Sequence, residues 1–381
     1  MQRKQKIFSA VVFMLIIFLM PLIFLISGKK SFSMEENRPL AKKPEFSFSL
    51  LADKTYMSDM DSFLSDNFPN RTGWVKTKKF FDRMLGKTII NGIYLADDML
   101  IEKLPEPDYD EVEKSIDAVN RFAEYYGNTK VSFMLVPTSA GVYPDKLPSA
   151  APQLNQREFI NETASRLNSD VSVIDIYDTM IAERENYIYY RTDHHWTSYG
   201  AYCAYRHASA NLGYKAADYN KFDIEHVSSD FTGTFYNKCF YDGVEKDIID
   251  IYNYKNGNNV TSVTQNDGAG ETSSDSIYFR EYLDGGDKYC VFLGNNKAYT
   301  NIKTDSLNRK KILVIKDSYA NAFIPFLVNH YSEIAVVDLR YVKNSLKEYI
   351  NPNNYDQTLF LYNASTFSTD TNVKMAGFTE Q

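Results

Sequence analysis

Ile312-Leu313-Val314-Ile315-Lys316-Asp317-Ser318 is the stretch that sets the fold class. Four consecutive branched apolar residues read as a strand buried on both faces, the kind that parallel sheets contain. A helix is expected from about Tyr319 to Tyr331, so Ser318 falls at a strand-to-helix turn on the carboxyl edge of the sheet. Open α/β sheets bind their ligands at that edge. The backbone N–H of Ser318, at the helix start, is placed to help hold an oxyanion. Taken alone, the serine has a second reading as an ordinary helix N-cap.

The alternation extends in both directions. Upstream, a helix is predicted over Glu111–Tyr126, a strand over Val131–Val136 ending at Pro137, a helix over Asn155–Asn168, a strand over Val171–Ile176 and a helix over Thr197–Leu212. Downstream come a strand over Ile334–Asp338, a helix near Val342–Tyr349 and a strand over Thr358–Tyr362. Residues 214–290, rich in Asn, Asp, Gly and Ser, read as a partly β insertion. Apolar strands separated by helices imply a mostly parallel sheet covered on both faces, an α/β fold. No repeat, glycine-rich phosphate loop or dinucleotide fingerprint is present.

The 381 residues hold 42 Lys and Arg against 49 Asp and Glu, a net charge of -7. The first thirty contain five basic residues and no acid, which leaves -7 minus 5, or -12, for the rest. An acidic body argues against nucleic acid as a partner, because backbone phosphates need clustered cations. Aromatic residues make up 15% of the chain; dense packing is the plainer account, and sugar stacking is the sharper one.

Ile7 to Gly28 is a run of 22 residues without a charge, preceded by Arg3-Lys4-Gln5-Lys6. As a helix it reaches roughly 33 Å, enough to cross the hydrocarbon core. Its length and the lack of a small-x-small cleavage site before Lys29 favour an uncleaved anchor over a signal peptide. The expected organisation is an anchor over 1–28, a helical membrane-proximal stalk over 29–105 and an α/β domain over 106–381. In the stalk, Tyr56 to Leu85 reads as two helices broken at Asn67-Phe68-Pro69-Asn70-Arg71, and Pro105-Glu106-Pro107 marks the boundary. With the N-terminus in the cytoplasm, everything after Gly28 is extracytoplasmic.

Asp193-His194-His195-Trp196-Thr197 is the second motif with chemistry in it. A histidine acting as general base needs a group that fixes its tautomer, and a carboxylate two residues away can do so in a turn. Asp193 and His195 have that spacing; His194 points elsewhere. With Ser318 they supply nucleophile, base and orienter. Two plainer readings stand beside this one: a capping Asp with two structural histidines, and a metal site drawing on His226 and Asp230. The latter matches no zinc spacing. Cys203, Cys239 and Cys290 form no CxxC pair and indicate neither a disulfide framework nor a cysteine metal site.

Asp193-His194-His195-Trp196 resembles the signature of the DHHW protein family, which is similar to the SGNH-hydrolase-like domains of the alginate O-acetylation proteins. Val136-Pro137-Thr138-Ser139 and Tyr143-Pro144-Asp145-Lys146-Leu147-Pro148 resemble the region after the first strand in those proteins. The Asp-x-His pair precedes the serine, as it does there. The resemblance implies an SGNH-like three-layer fold with Ser318 as nucleophile, His195 as base and Asp193 as orienter. The serine block departs from the Gly-Asp-Ser pattern: Lys316 replaces the glycine. Candidate oxyanion or substrate contacts are Gly294-Asn295 after a strand predicted over Tyr289–Leu293, Arg340-Tyr341 after Ile334–Asp338, and Asn363 after the last strand. The function implied is transfer of an acyl group, acetyl being expected, to a hydroxyl of a cell-surface polysaccharide, from a donor delivered by a membrane-embedded protein. No metal, nucleotide or other cofactor is called for. An acetyl-esterase with the same three residues and a non-catalytic glycan-binding envelope protein are the alternatives.

Overall fold

The computed structural model describes residues 2–33, 38–268, 270–343 and 345–377. The chain divides into two compact units, Met1–Ile90 with Asn237–Phe240, and Asn91–Tyr236 with Tyr241–Gln381.

In the first unit, helix α1 (Gln2–Ile26) contains Pro21 and is long and apolar enough to cross a membrane, a test that a signal sequence also passes. Helices α2 (Thr55–Asp66) and α3 (Arg71–Met84) are separated by the Pro69 break. Asp66 ties the unit together: Arg38 donates to it through Nη1 (3.0 Å) and Nη2 (2.6 Å), and the Ala41 N–H adds a third bond at 2.8 Å.

The second unit is built on helices α4 (Tyr109–Tyr125), α5 (Gln156–Arg166) and α6 (Ser198–Leu212). Its strands are β1 (Lys130–Val136), β2 (Val171–Val173), β3 (Phe222–Phe231), β4 (Asp247–Tyr254) and β5 (Val260–Asn266). They continue with β6 (Glu271–Ser274), β7 (Tyr299–Thr304), β8 (Lys311–Lys316), β9 (Glu333–Val337) and β10 (Gln357–Asn363). The helix starts carry polar caps: Asp108, Asn155 and Thr197 each accept the N–H three residues on, which answers otherwise orphaned donors. Gly213, at φ +70°, closes α6.

Eight strands form one sheet in the order β6-β5-β7-β9-β8-β10-β1-β2. β9, β8, β10, β1 and β2 run parallel; β7, β5 and β6 extend that edge antiparallel. Alternate residues of the central strands (Phe133, Leu313, Ile315, Phe360) pack with Val119 and Phe122 of α4 and Phe159 of α5. The opposite face meets α6, where Gln357 Nε2 donates to the Leu212 carbonyl (3.1 Å) and Asn211 Nδ2 to Ser172 Oγ (3.2 Å). A sheet with helices on both faces is the three-layer α/β arrangement expected. β3 and β4 form a separate antiparallel ribbon.

Four expectations need correction. After Ser318 the chain makes one α turn, Ala320–Phe323, and a 3₁₀ turn, Ile324–Leu327, instead of a long helix; Pro325 has no N–H to continue an α ladder. Lys288–Val291 is 3₁₀, not a strand over Tyr289–Leu293. Near Val342–Tyr349 only Leu346–Glu348 is helical among the described residues, as 3₁₀, and Asn344 of that expected helix lies outside them. The strand expected over Val171–Ile176 stops at Val173. Cys203, Cys239 and Cys290 are all thiols.

Candidate active site

Ser318 leaves the carboxyl end of β8, and the Asp193–Trp196 loop precedes α6; the two are 123 residues apart in sequence and meet side by side. His195 Nε2 lies 2.8 Å from Ser318 Oγ, and His195 Nδ1 lies 2.6 Å from Asp193 Oδ1. The carboxylate must accept, so Nδ1 carries the hydrogen and Nε2 is left to accept the serine proton. Asp193 Oδ1 also accepts the His195 backbone N–H at 3.1 Å.

Burial pushes the Asp193 carboxyl up, but His194 and His195 outweigh it and hold it well below the usual range. Burial and His194 push the His195 imidazole down to about 3, against the pull of Asp193. His195 is therefore neutral at neutral pH, the form that can take a proton.

Two backbone amides and a second buried carboxylate fix this loop. Thr234 N–H donates to Asp193 Oδ2 at 2.7 Å, and Gly233 N–H donates to Thr192 Oγ1 at 3.0 Å. A Cβ on Gly233 would lie 2.3 Å from Asp193 Oδ2, so only glycine permits this approach. Asp247, fully buried at the start of β4, accepts from Arg191 N (2.7 Å), Thr192 N (2.8 Å), Tyr187 OH (2.5 Å) and Thr192 Oγ1. Tyr289 stacks on the His195 ring with centroids 3.6 Å apart and planes 8° apart, while its hydroxyl donates to the Ser318 carbonyl at 3.1 Å. Trp196 Nε1 donates to the Tyr319 carbonyl at 2.9 Å, and Tyr319 OH donates to the His194 carbonyl.

Asp317, the residue before Ser318, accepts from Tyr319 N (2.9 Å) and from Asn363 N (2.7 Å) and Nδ2 (2.6 Å). Asn363 Nδ2 also donates to Thr366 Oγ1 at 2.8 Å. Both amide hydrogens are thus engaged, and in this arrangement Asn363 positions Asp317 and offers no donor to an oxyanion. Ser318 N–H has no acceptor among the described residues.

Lys316 is buried. Its Nζ donates to Asn296 Oδ1 (2.7 Å), Asn321 Oδ1 (2.8 Å) and Asp338 Oδ2 (3.3 Å). Arg340 closes on Asp338 through Nε (2.8 Å) and Nη2 (2.6 Å). Burial pushes the Asp338 carboxyl up, but these two cations hold it below its ordinary value. Tyr341 is exposed beside Arg340, its ring centroid 5.8 Å from the guanidinium carbon. Gly294, at φ +73°, makes a turn that directs Asn295 to the Tyr282 hydroxyl (3.0 Å); its neighbour Asn296 joins the Lys316 network instead.

The ligand atoms of Asp193, His194 and His195 lie within 4.8 Å of one another. Both nitrogens of His195 are already in bonds to Asp193 and Ser318. His226 pairs with Asp250 at 2.6 Å and Asp230 with Lys288, so neither joins that group.

Asp247, Gly233, Tyr289, Tyr319 and Asn296 have no site role in the sequence reading. One signal for Asp247 was available: Asp247, Ile249 and Ile251 alternate along a strand, which puts a carboxylate on an apolar face. The contacts of Gly233 and Tyr289 are long-range and leave no local pattern.

A mostly parallel sheet between two helical layers, with a serine, a histidine and an aspartate meeting at the carboxyl edge of its strands, fits the SGNH-hydrolase-like class. Residues 113–337 match the DHHW protein family, more than half of the chain, and the protein belongs to that family. A DHHW family protein from Eubacterium siraeum is 26% identical with a TM-score of 0.64, over 75% of this chain and 95% of that one. Bacillus cereus PatB1 is similar over 73% of this chain, at 26% identity and TM-score 0.63 over 98% of that one. A second PatB1 structure carries a sulfonyl adduct and matches at 25% identity and TM-score 0.63 over 97% of its length. The O-acetyltransferase domain of Pseudomonas putida AlgJ is fainter: 14% identity and TM-score 0.45, over 73% of this chain and 93% of that one. No curated protein matches the chain.

Proposed function

We propose that this protein is a membrane-anchored, extracytoplasmic serine acyltransferase that transfers an acetyl group to a hydroxyl of a cell-surface polysaccharide. The observation that carries the reading is the continuous relay from Ser318 Oγ through His195 to Asp193, at 2.8 and 2.6 Å. His195 Nε2 takes the serine proton as Ser318 Oγ attacks the donor carbonyl, while Asp193 holds the imidazolium that forms. The Ser318 N–H faces the developing oxyanion, and collapse expels the donor's leaving group, protonated by His195. The acetyl-enzyme then meets the acceptor hydroxyl, whose proton goes to His195; the acetyl ester forms and Ser318 is regenerated. PatB1, the relative with a sulfonyl adduct, supports the reading, since sulfonylation is the behaviour of an activated nucleophile. The N-terminal helix supports delivery of the donor at a membrane.

The test uses the full chain in detergent with an activated acetyl ester and soluble glycan acceptors. Ser318→Ala is expected to abolish release of the leaving group with the fold retained, and unchanged turnover would sink the assignment. Acetylated glycan as product identifies the transferase. Free acetate alone, whatever the acceptor, identifies an esterase using the same residues, and no turnover in the native protein favours glycan binding without chemistry.

A further inference from the structure

Helix α3 of the first unit is inside out. Its packed face carries Lys79, buried with Nζ on the Lys238 carbonyl (2.5 Å) and 4.4 Å from the Phe240 ring centroid. Its outer face carries Trp74, Phe81 and Met84, with Leu85 just beyond, at helical spacings of three, four and seven, and Lys78, which pairs with Asp82 at 3.2 Å, stands among them. The exposures of the four apolar residues are 52%, 56%, 68% and 79%. A stripe of large apolar side chains left in contact with solvent marks an interaction surface.

The first unit also says what covers it. Trp74 shares the wall of one cavity with Met20 and Ile23 of α1 and with Ser27, Gly28 and Lys30 just beyond it. Met20 and Ile23 lie six and three residues before Ile26, roughly 9 and 5 Å along the axis. Trp74 therefore sits beside the junction of the apolar helix with the polar segment that follows it, the zone in which tryptophan concentrates in bilayers. Residues 29–90 contain twelve Lys and Arg against eight Asp and Glu, a net +4 in a chain whose total is -7. A local cationic excess beside an apolar stripe is complementary to anionic headgroups and wrong for nucleic acid, which has no acyl phase.

We propose that α3 lies in the lipid–water interface beside α1, with Trp74, Phe81, Met84 and Leu85 in the acyl boundary of an anionic bilayer. This rests on α1 remaining as an anchor, and is independent of the acyl-transfer chemistry.

The chain has two tryptophans, and Trp196 is fully buried, so lipid quenching reads Trp74. Full-length protein is reconstituted in vesicles of phosphatidylcholine and phosphatidylglycerol brominated near the headgroup, and compared with Trp74→Phe. The native emission is expected to be blue-shifted and to lose its Trp74 share to bromine, while Trp74→Phe is unaffected. Quenching by aqueous acrylamide but not by bromolipid would overturn the proposal in favour of a bare surface. Protection from both would overturn it in favour of a protein partner or a second copy. The mass of the recovered chain, measured on the same sample, must include α1; a shortened mass overturns the anchor on which the proposal rests. Ester turnover in that sample reports separately on the acyl-transfer reading.

Discussion

The two units handle the same amino acids in opposite ways. Residues 1–90 carry 15 Lys and Arg against 8 Asp and Glu, a net +7; residues 91–381 carry 27 against 41, a net -14. Among the described residues, the twelve largest fully buried side chains, from Phe122 to Tyr362, belong to the second unit, whereas Trp74, Phe80 and Phe81 of the first are at least half exposed. The aromatic excess therefore has two causes. In the second unit much of it is core, as with Tyr205 and Phe326 stacked at 5.2 Å; in the first, apart from buried Phe63 and Phe240, most of it is surface. Composition averaged over the whole chain conceals both facts.

Substitution experiments can break or sharpen this contrast. The largest expected effect is Phe122→Ala in the α4 core, destabilising by about 3–5 kcal/mol in thermal or denaturant unfolding. A loss below that of Trp74→Ala would break the contrast outright. Next is Asp247→Ala, which leaves the Arg191 and Thr192 amides without their acceptor. Unfolding should cost about 3 kcal/mol, and loss of loop position should cut kcat for ester cleavage about 100-fold. Asp247→Asn should recover part of the stability. Gly233→Ala drives a methyl into Asp193 and should lower kcat about 10-fold or more with little change in KM. A raised KM with kcat intact would mean that the glycine serves substrate binding. Trp74→Ala is the smallest: within about 0.5 kcal/mol in detergent, with ester turnover unchanged.

The pH profile tests the interior of the second unit. A neutral base is required, and the His195 pKa is depressed below its usual value, so kcat/KM should not fall with an apparent pKa near 6.5 as the pH drops from 8 to 6. The linkage has the same origin. Below its ordinary pKa of about 6.5 the unfolded state takes up a proton that buried His195 refuses. Stability is therefore lost as the pH falls from that value toward 3, and regained on return. A base limb centred near 6.5 would show an imidazole open to water.

The sequence carried the central strands well, because residues buried on both faces leave continuous apolar runs such as Ile312–Ile315 and Leu359–Leu361. It carried the three side chains that meet at the candidate site, because Asp193 and His195 form a local pair two residues apart and Ser318 follows a strand end. It did not carry their support. Asp247 acts over 55 residues and Tyr289 over 29, and such contacts are fixed only by tertiary packing. The short turn after Ser318 was misread as a long helix because apolar periodicity continued through Pro325. Asn363 was legible as a strand-end residue, yet its partners Asp317 and Thr366 decide what its amide can do.

Trp196 and Tyr319 have a further consequence. The indole binds one loop's neighbour through the Tyr319 carbonyl, and the phenol returns a bond to the His194 carbonyl, with His195 and Ser318 between them. These three links close a ring of bonds through two loops remote in sequence. A ring of this kind has no free end from which to fray, so the contacts among Ser318, His195 and Asp193 assemble or come apart as a whole. The amides of both loops should then exchange with solvent at one common rate, and a defect introduced on either side should be felt at once on the other.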